Sequence, residues 1–210
     1  EMDCVKHSFE VVCSYDEVLM QHVIKDRWHV FEERPLTDAG EMYRVMRQLD
    51  CLDPSRMEKF DQLMQIHPKA IVYYYRNYER DILLEYARRR QDEDPEFGIG
   101  EWHGKKKSPV PDGDRWLYVV QYQSGAEGWN CITTDTTIFY SQPYSWRLWH
   151  QAHGRIARLN TPFKDLYYYT LISRSKFATR LSATLTDKKD FNERAHLKEF
   201  GGAWPEKAKN

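Results

Sequence analysis

What this 210-residue sequence lacks narrows it first. Net charge is nearly absent: 31 basic side chains stand against 32 acidic ones. Bulk electrostatics therefore predict affinity for neither nucleic acid nor membrane, and any basic surface must be local. No apolar run approaches the roughly 20 residues of a membrane span, and no signal-peptide pattern opens the chain. Cysteine is scarce. Cys4, Cys13, Cys51 and Cys131 lie far apart with no C-x-x-C pair, which fits free thiols in a reducing cytoplasm better than disulfides or a zinc site. Phosphate loops are missing too. In "GIGEWHGKKKS" Gly100 and Gly104 have three residues between them where the nucleotide loop needs four, and Lys105 is followed by Lys106 instead of Ser or Thr. The dinucleotide fingerprint fails because Gly104 falls one residue late. By itself this chain cannot cradle a nucleoside triphosphate in the usual way.

Aromatic residues are plentiful, with seven Trp and fourteen Tyr, and argue for a packed interior. The length suffices for one large domain or two small ones. "SFEVVCSYDEVLMQHVI" reads as a strand and then a helix, and Pro35 breaks the pattern. "TDAGEMYRVMRQL" puts Met42, Val45, Met46 and Leu49 on one helical face after cap residues. In "DPSRMEKFDQLMQI", Asp53 suits the N-cap, Pro54 the first turn, and Met57, Phe60 and Met64 the buried stripe. Ala70 to Tyr75 is a continuous β-branched and aromatic run, the mark of a strand buried on both faces. "NYERDILLEYARRR" follows as a helix with Ile82, Leu83, Tyr86 and Ala87 inward. "FGIGEWHG" is a short strand, "KKKSPVPDGD" an exposed loop with a Pro-Asp-Gly turn, and "RWLYVVQY", "DTTIFYS" and "DLYYYTLI" are further strands. A last helix carries Phe177, Leu181 and Leu185 on one face. Such alternation predicts an α/β fold with a mainly parallel sheet covered by helices, whose ligands bind beyond the C-terminal strand ends.

One segment, "WHQAHGRIARLN", carries polar residues in a row. On a helix Gln151, Arg155 and Arg158 fall within about 60° of one another, with Arg147 in line and Trp149, Ala152 and Ile156 opposite. A solvated face and a functional row are the two explanations. His150 and His153 share the segment at i, i+3, but no third ligand sits at a fitting spacing, so no metal site is expected.

The pair of segments in "SGAEGWNCITTDTTIFYSQPYSWRLWHQAHGRIARLN" resembles motifs V and VI of superfamily 2 helicases, and most of all chromatin-remodelling-type DNA translocases and their bacteriophage relatives. In that family a glycine-rich loop precedes a strand, and the next helix carries Q-x-x-G-R-x-x-R. Here Gln151, Gly154, Arg155 and Arg158 supply every fixed position. "KAIVYYYRNYERDILLEYA" looks like the motif IV strand and helix, and "EWHG" like the segment after the second strand. The similarity runs from about Met57 to Leu185. Trp129 departs from it, standing where Leu or Ile is usual.

The resemblance implies a RecA-like three-layer sandwich over residues 37–191, with 1–36 as a lead-in or inter-lobe segment and 192–210 as a tail. It implies the C-terminal lobe of an ATP-dependent motor whose first lobe holds most of the ATP and Mg2+. Since the chain opens on Glu1 instead of Met, that lobe is expected either upstream in a longer protein or in a separate one. Arg158 is the implied arginine finger, Arg155 grips the phosphates or bridges the lobes, Gln151 orients water or phosphate, and Gly154 admits another backbone. In the glycine loop Gly125 and Gly128 are expected to permit positive φ and expose N–H groups. Glu127 and Asn130 either contact ribose or, for Asn130, cap the loop. Expected track contacts, on DNA or RNA, are Tyr75, Arg76, Asn77, Ser124, Lys105, Lys106 and Lys107, with core packing as the other reading for Tyr75. A stand-alone nucleic-acid-binding or partner-docking module is the alternative.

Overall fold

A computed structural model describes residues 4–125 and 129–199. The chain runs through strand β1 (Val5–Cys13), helix α1 (Glu17–Lys25), a hairpin of β2 (Trp28–His29) and β3 (Arg34–Pro35), and helices α2 (Ala39–Leu52) and α3 (Pro54–Ile66). Strand β4 (Lys69–Tyr74), helix α4 (Asn77–Glu93), strands β5 (Gly98–His103), β6 (Lys106–Lys107) and β7 (Trp116–Gln121), and the single turn α5 (Tyr122–Gly125) follow. Strand β8 (Thr136–Phe139), helix α6 (Trp146–His153), strand β9 (Asp165–Ser173) and helices α7 (Lys176–Thr186) and α8 (Glu193–Glu199) complete the described residues.

Seven strands form one sheet in the order β1-β9-β8-β4-β7-β5-β6. Every pairing is parallel except β5 with β6. The central strand shows why the sequence chooses this. Ala70 to Tyr74 have no solvent exposure, and because side chains alternate across a strand, they fill both faces. Val72 and Tyr74 join Phe60, Leu63, Leu83 and Ala87 from α3 and α4. Ile71 and Tyr73 point the other way, to Phe139, Ala152 and Ile156. Aliphatic side chains such as Ile71 and Val72 contribute about 1.5–3 kcal/mol each on burial, so this run favours the centre of the sheet. A third cluster at the sheet's end packs α1, α2 and α7 through Met20, Val23, Met46, Leu49, Phe177, Leu181 and Leu185.

Local signals hold where they were strong. The Asp53 carboxylate accepts from Ser55 N–H with Pro54 in the first turn of α3, and Gly113 has a φ of +90° in the Pro-Asp-Gly turn. Smaller expectations shift. In α4, Leu84 is buried and Ile82 is only half-buried. The run expected as a wholly exposed loop begins as strand β6, since Lys106 and Lys107 pair back onto His103 and Trp102. Residues 1–36 supply the edge strand β1 and helix α1 to the same body, and in 192–210 α8 brings His196 against the Tyr43 hydroxyl at 2.6 Å. Among the described residues, no helix is long and apolar enough to cross a membrane.

Candidate functional site

Parallel strands deliver their C-terminal ends to one rim, and the sequence-predicted residues gather there. Tyr75, Arg76 and Asn77 follow β4, Ser124 and Gly125 close the turn after β7, and α6 rises after β8.

The polar row does not lie on one helix. α6 stops at His153, and only Gln151 of the three is helical. Gly154 N–H bonds back to Gln151 O at 3.1 Å, tightening the last turn. Two outside donors then take carbonyls that a continuing helix would need: Tyr168 Oη donates to His153 O at 3.0 Å, and Cys131 N–H to Arg155 O at 3.2 Å. Glycine is a weak helix former, so the helix yields at this point. Ala152 and Ile156 still bury as the periodicity predicts. A Cβ on Gly154 would meet only Gln151 O, at 3.5 Å, so packing within the chain does not require glycine there.

Arg155 is buried, at 7% exposure. Its Nη1 donates to Trp129 O at 3.1 Å, and the Tyr73 hydroxyl lies against its guanidinium. Burial, with Arg158 nearby, pulls its pKa below the usual arginine value, and Tyr73 opposes this. Among the described residues no carboxylate pairs with Arg155 or Arg158. Gln151 Oε1, Arg155 Nε and Arg158 Nε are all buried without a hydrogen-bond partner. Orphaned buried polar atoms are uncommon and each calls for an explanation, and three of them fall together here.

Facing them, Gly125 is held by packing and not by a positive φ, contrary to the expected role. A Cβ there would come within 3.0 Å of both Tyr73 Cε1 and Val120 Cγ1, contacts that real Cβ atoms scarcely make. Glu127 and Gly128 lie outside the described residues. Asn130 is exposed. Trp129 is buried edge-on against Tyr118 at 5.3 Å. Ser124 is buried, its hydroxyl directed to Gln121 Oε1 at 3.4 Å and its carbonyl accepting from Trp102 Nε1 at 2.9 Å. That leaves its side chain turned into the fold.

Tyr75 and Arg76 are half-buried and Asn77 is exposed. The Arg76 guanidinium stands 4.9 Å from the Tyr75 ring centre. Lys105 and Lys106 project from the β5–β6 hairpin, with Lys106 Nζ on Glu101 at 2.6 Å and Lys107 Nζ 5.4 Å from the Trp102 ring. Of the glycines of the failed phosphate loop Gly100 has a packing role, since a Cβ there would fall 2.5 Å from Tyr118 Cδ2, whereas one on Gly104 would meet only Ser124 Oγ, at 3.9 Å. His150 and His153 do not converge. His150 stacks on Trp146 at 5.0 Å, whereas His153 donates Nδ1–H to Trp149 O at 2.8 Å and stacks on Phe139. Among the described residues, no group of His, Cys, Asp or Glu could hold a metal ion.

Sequence reasoning missed a buried polar network under the same rim. Glu79 has no exposure and accepts from Tyr75 N–H at 2.9 Å and Ser141 Oγ at 2.6 Å. Arg47 donates to Gln142 O at 2.8 Å, its guanidinium 4.6 Å from the Tyr75 ring and 4.7 Å from Tyr144. Arg56 donates to Asp50 O, Tyr140 O and Leu171 O. Asp50 accepts from Ser173 Oγ and Ser175 Oγ at 2.7 Å each. Burial pushes its carboxyl up, and the two hydroxyls pull it back. This network ties the end of β4 to the segment entering α6. Polar residues inside helices are read by default as solvent-facing, so no local signal exposes it.

No family model and no curated protein sequence matches the chain. Solved structures do. The C-terminal part of the Fun30 ATPase domain superposes with a TM-score of 0.66 at 10% identity, over 95% of this chain and 98% of that one. The fold is RecA-like. The Sulfolobus solfataricus SWI2/SNF2 ATPase core in complex with dsDNA matches with a TM-score of 0.59 at 11% identity, over 93% of this chain and 46% of that one. This chain therefore spans about half of that ATPase core.

Proposed function

We propose that this chain is the C-terminal motor lobe of an ATP-dependent DNA helicase or translocase of superfamily 2, related to the phage-type members. Its partner is an N-terminal RecA-like ATPase lobe, in the same protein or another, that holds most of the ATP and Mg2+. The observation that carries the reading is the cationic pair at the rim. Arg155 and Arg158 have buried nitrogens without partners and, among the described residues, no carboxylate to neutralise them, and Arg155 reaches Trp129 O. A planar guanidinium fits phosphate oxygens in a bidentate fork, which lysine cannot. When bound, the triphosphate supplies a γ-phosphoryl group that develops negative charge as it is transferred. Arg158 serves as the finger that stabilises this charge, Arg155 holds the phosphates or bridges to the other lobe, and Gln151 offers its orphan Oε1 to the attacking water. Gly154 leaves room for the opposite lobe's backbone.

Along the track, backbone N–H groups of Gly125 to Asn130 hold phosphate oxygens without reading sequence, with Glu127, Gly128 and Asn130 flanking. Tyr75, Arg76 and Asn77 and the lysine hairpin add contacts, and the dsDNA carried by the similar ATPase core favours a DNA track. Ser124 contributes through its backbone, because its side chain faces inward.

The test joins this chain to a first lobe bearing a P-loop and an acidic metal box. Arg158→Ala should lower DNA-stimulated turnover by about 10³ to 10⁵ with the fold unchanged by circular dichroism. Near-normal turnover in that variant overturns the finger assignment. The exposed lysines favour one rival, a nucleic-acid module without motor activity. Tight DNA binding by the isolated chain with a steep salt slope would support that rival instead.

A further inference from the structure

The sheet ends at β1, and among the described residues nothing pairs with its outer edge. A free edge of nine residues is a template for another strand. The ladder with β9 fixes which peptide groups face outward. Val5 donates its N–H to Lys164 O, and Cys13 O accepts from Arg174 N–H. In a parallel pair a residue turns both groups to the same side, so the odd-numbered residues face β9. Lys6, Ser8, Glu10 and Val12 therefore present their N–H and C=O groups to the open side.

We propose that this edge binds the same strand of a second copy of the chain, antiparallel about a two-fold axis through Ser8. One sheet then continues across two molecules. In this register Ser8 faces Ser8, Lys6 faces Glu10, His7 faces Phe9 and Val5 faces Val11. Outward-facing residues meet only outward-facing residues, so the open peptide groups of Lys6, Ser8 and Glu10 all find partners. The axis generates the Lys6–Glu10 pair twice, and residues directly opposite across antiparallel strands interact most strongly. Sliding the strands by two residues sets Lys6 against Ser8 or Val12 and loses both ion pairs. The sequence thus selects one register.

Exposure points the same way. Val5, Phe9 and Val12 are 57%, 46% and 45% exposed, an apolar concentration along a strand that water would otherwise cover. Phe9 stacks on Tyr169 and His7 on Tyr167, both at 5.2 Å, so the rings are already ordered for another row. A lone lysine on an edge normally defeats strand addition. Here Glu10 occupies its two-fold mirror position and makes the edge self-complementary, as an isologous interface requires.

The inference is independent of the motor reading, and its test uses this chain alone. Sedimentation velocity over a concentration series should show a reversible dimer. Lys6→Glu or Glu10→Lys places like charges opposite at both pairs and should weaken dimerisation roughly tenfold or more. The double exchange, Lys6→Glu with Glu10→Lys, restores opposite charges and should restore the dimer. Ser8→Pro removes an N–H that β9 does not use, so it should abolish the dimer with the melting temperature of the monomer retained. A chain that stays monomeric at every concentration overturns the proposal. So does a dimer indifferent to the single exchanges, or one that the double exchange fails to rescue.

Discussion

Two arginines of this chain are nearly equally buried, Arg56 at 2% and Arg155 at 7% exposure, yet the same substitution should be costly at one and close to neutral at the other. Arg56 donates to three carbonyls, Asp50 O at 3.0 Å, Tyr140 O at 2.6 Å and Leu171 O at 2.9 Å. Arg56→Met keeps most of the stem's packing but strips a charged donor from all three. An orphaned buried acceptor costs about 1–3 kcal/mol, and breaking a buried charged network typically costs about 3–5 kcal/mol in all. Arg155 donates to one carbonyl, Trp129 O at 3.1 Å, with the Tyr73 hydroxyl against its guanidinium, and no carboxylate among the described residues offsets its charge. Arg155→Met loses about 1.5–3 kcal/mol with that bond. It also removes a desolvated cation, whose burial costs several kcal/mol, and the repulsion from Arg158. The net change should lie within about 1 kcal/mol of zero on that balance. Urea unfolding of the isolated chain measures both, with the slope checked for constancy. If Arg155→Met destabilises as much as Arg56→Met, Arg155 is a structural tie, and its use as an unpaired phosphate grip loses its physical basis.

Three other outcomes follow from particular contacts. Burial holds folded His153 at about 4 against an ordinary 6.5, so as pH falls the unfolded chain takes up the proton first. His153 should leave stability unaffected above pH 6.5 and lower it progressively from there to pH 4, by at most about 3 kcal/mol. His153→Asn, which keeps a donor for Trp149 O, should flatten that part of the acid-unfolding curve, and an unchanged curve contradicts the assignment. Gly125→Ala should cost about 1–3 kcal/mol by thermal melting because its methyl meets Tyr73 and Val120; an unchanged melting temperature shows that the turn relaxes freely. Replacing Lys105, Lys106 and Lys107 by Ala should reduce the salt slope of DNA binding by about one to two, allowing for the tie of Lys106 to Glu101. Fluorescence anisotropy over a salt series reads it, and an unchanged slope removes the hairpin from the track.

Legibility followed burial. β4 and β7 were readable because their apolar runs are buried on both faces, and β9 because its aromatic and β-branched residues alternate with burial in the strand period. α3 announced itself through Asp53 and Pro54, and α7 through Phe177, Leu181 and Leu185. β1 was visible as a strand, but its exposed and mixed residues gave no sign that it joins the main sheet. The helix end at Gly154 was hidden for a different reason. Apolar periodicity continues through Ile156, and what stops the helix is competition for carbonyls by Cys131, in the loop before β8, and Tyr168, on β9, which only the fold brings near. The two segments singled out in the sequence do meet in the fold, since Arg155 reaches Trp129 O.

Residue type alone could not separate the arginines, because position in a motif says nothing about what surrounds a charge. Partners do. Arg56 is saturated by carbonyls from three segments, so its charge is used up in holding them together. Arg47 lies between two tyrosine rings and a carbonyl, joining the end of β4 to the approach to α6. Arg155 and Arg158 keep buried nitrogens unsatisfied beside a second cation. A fold gains nothing from such an arrangement, since desolvation and repulsion both oppose it. Under the proposed motor reading the compensating anion comes from outside the chain, and two guanidinium forks suit one with several oxygens, such as a polyphosphate, better than a single carboxylate.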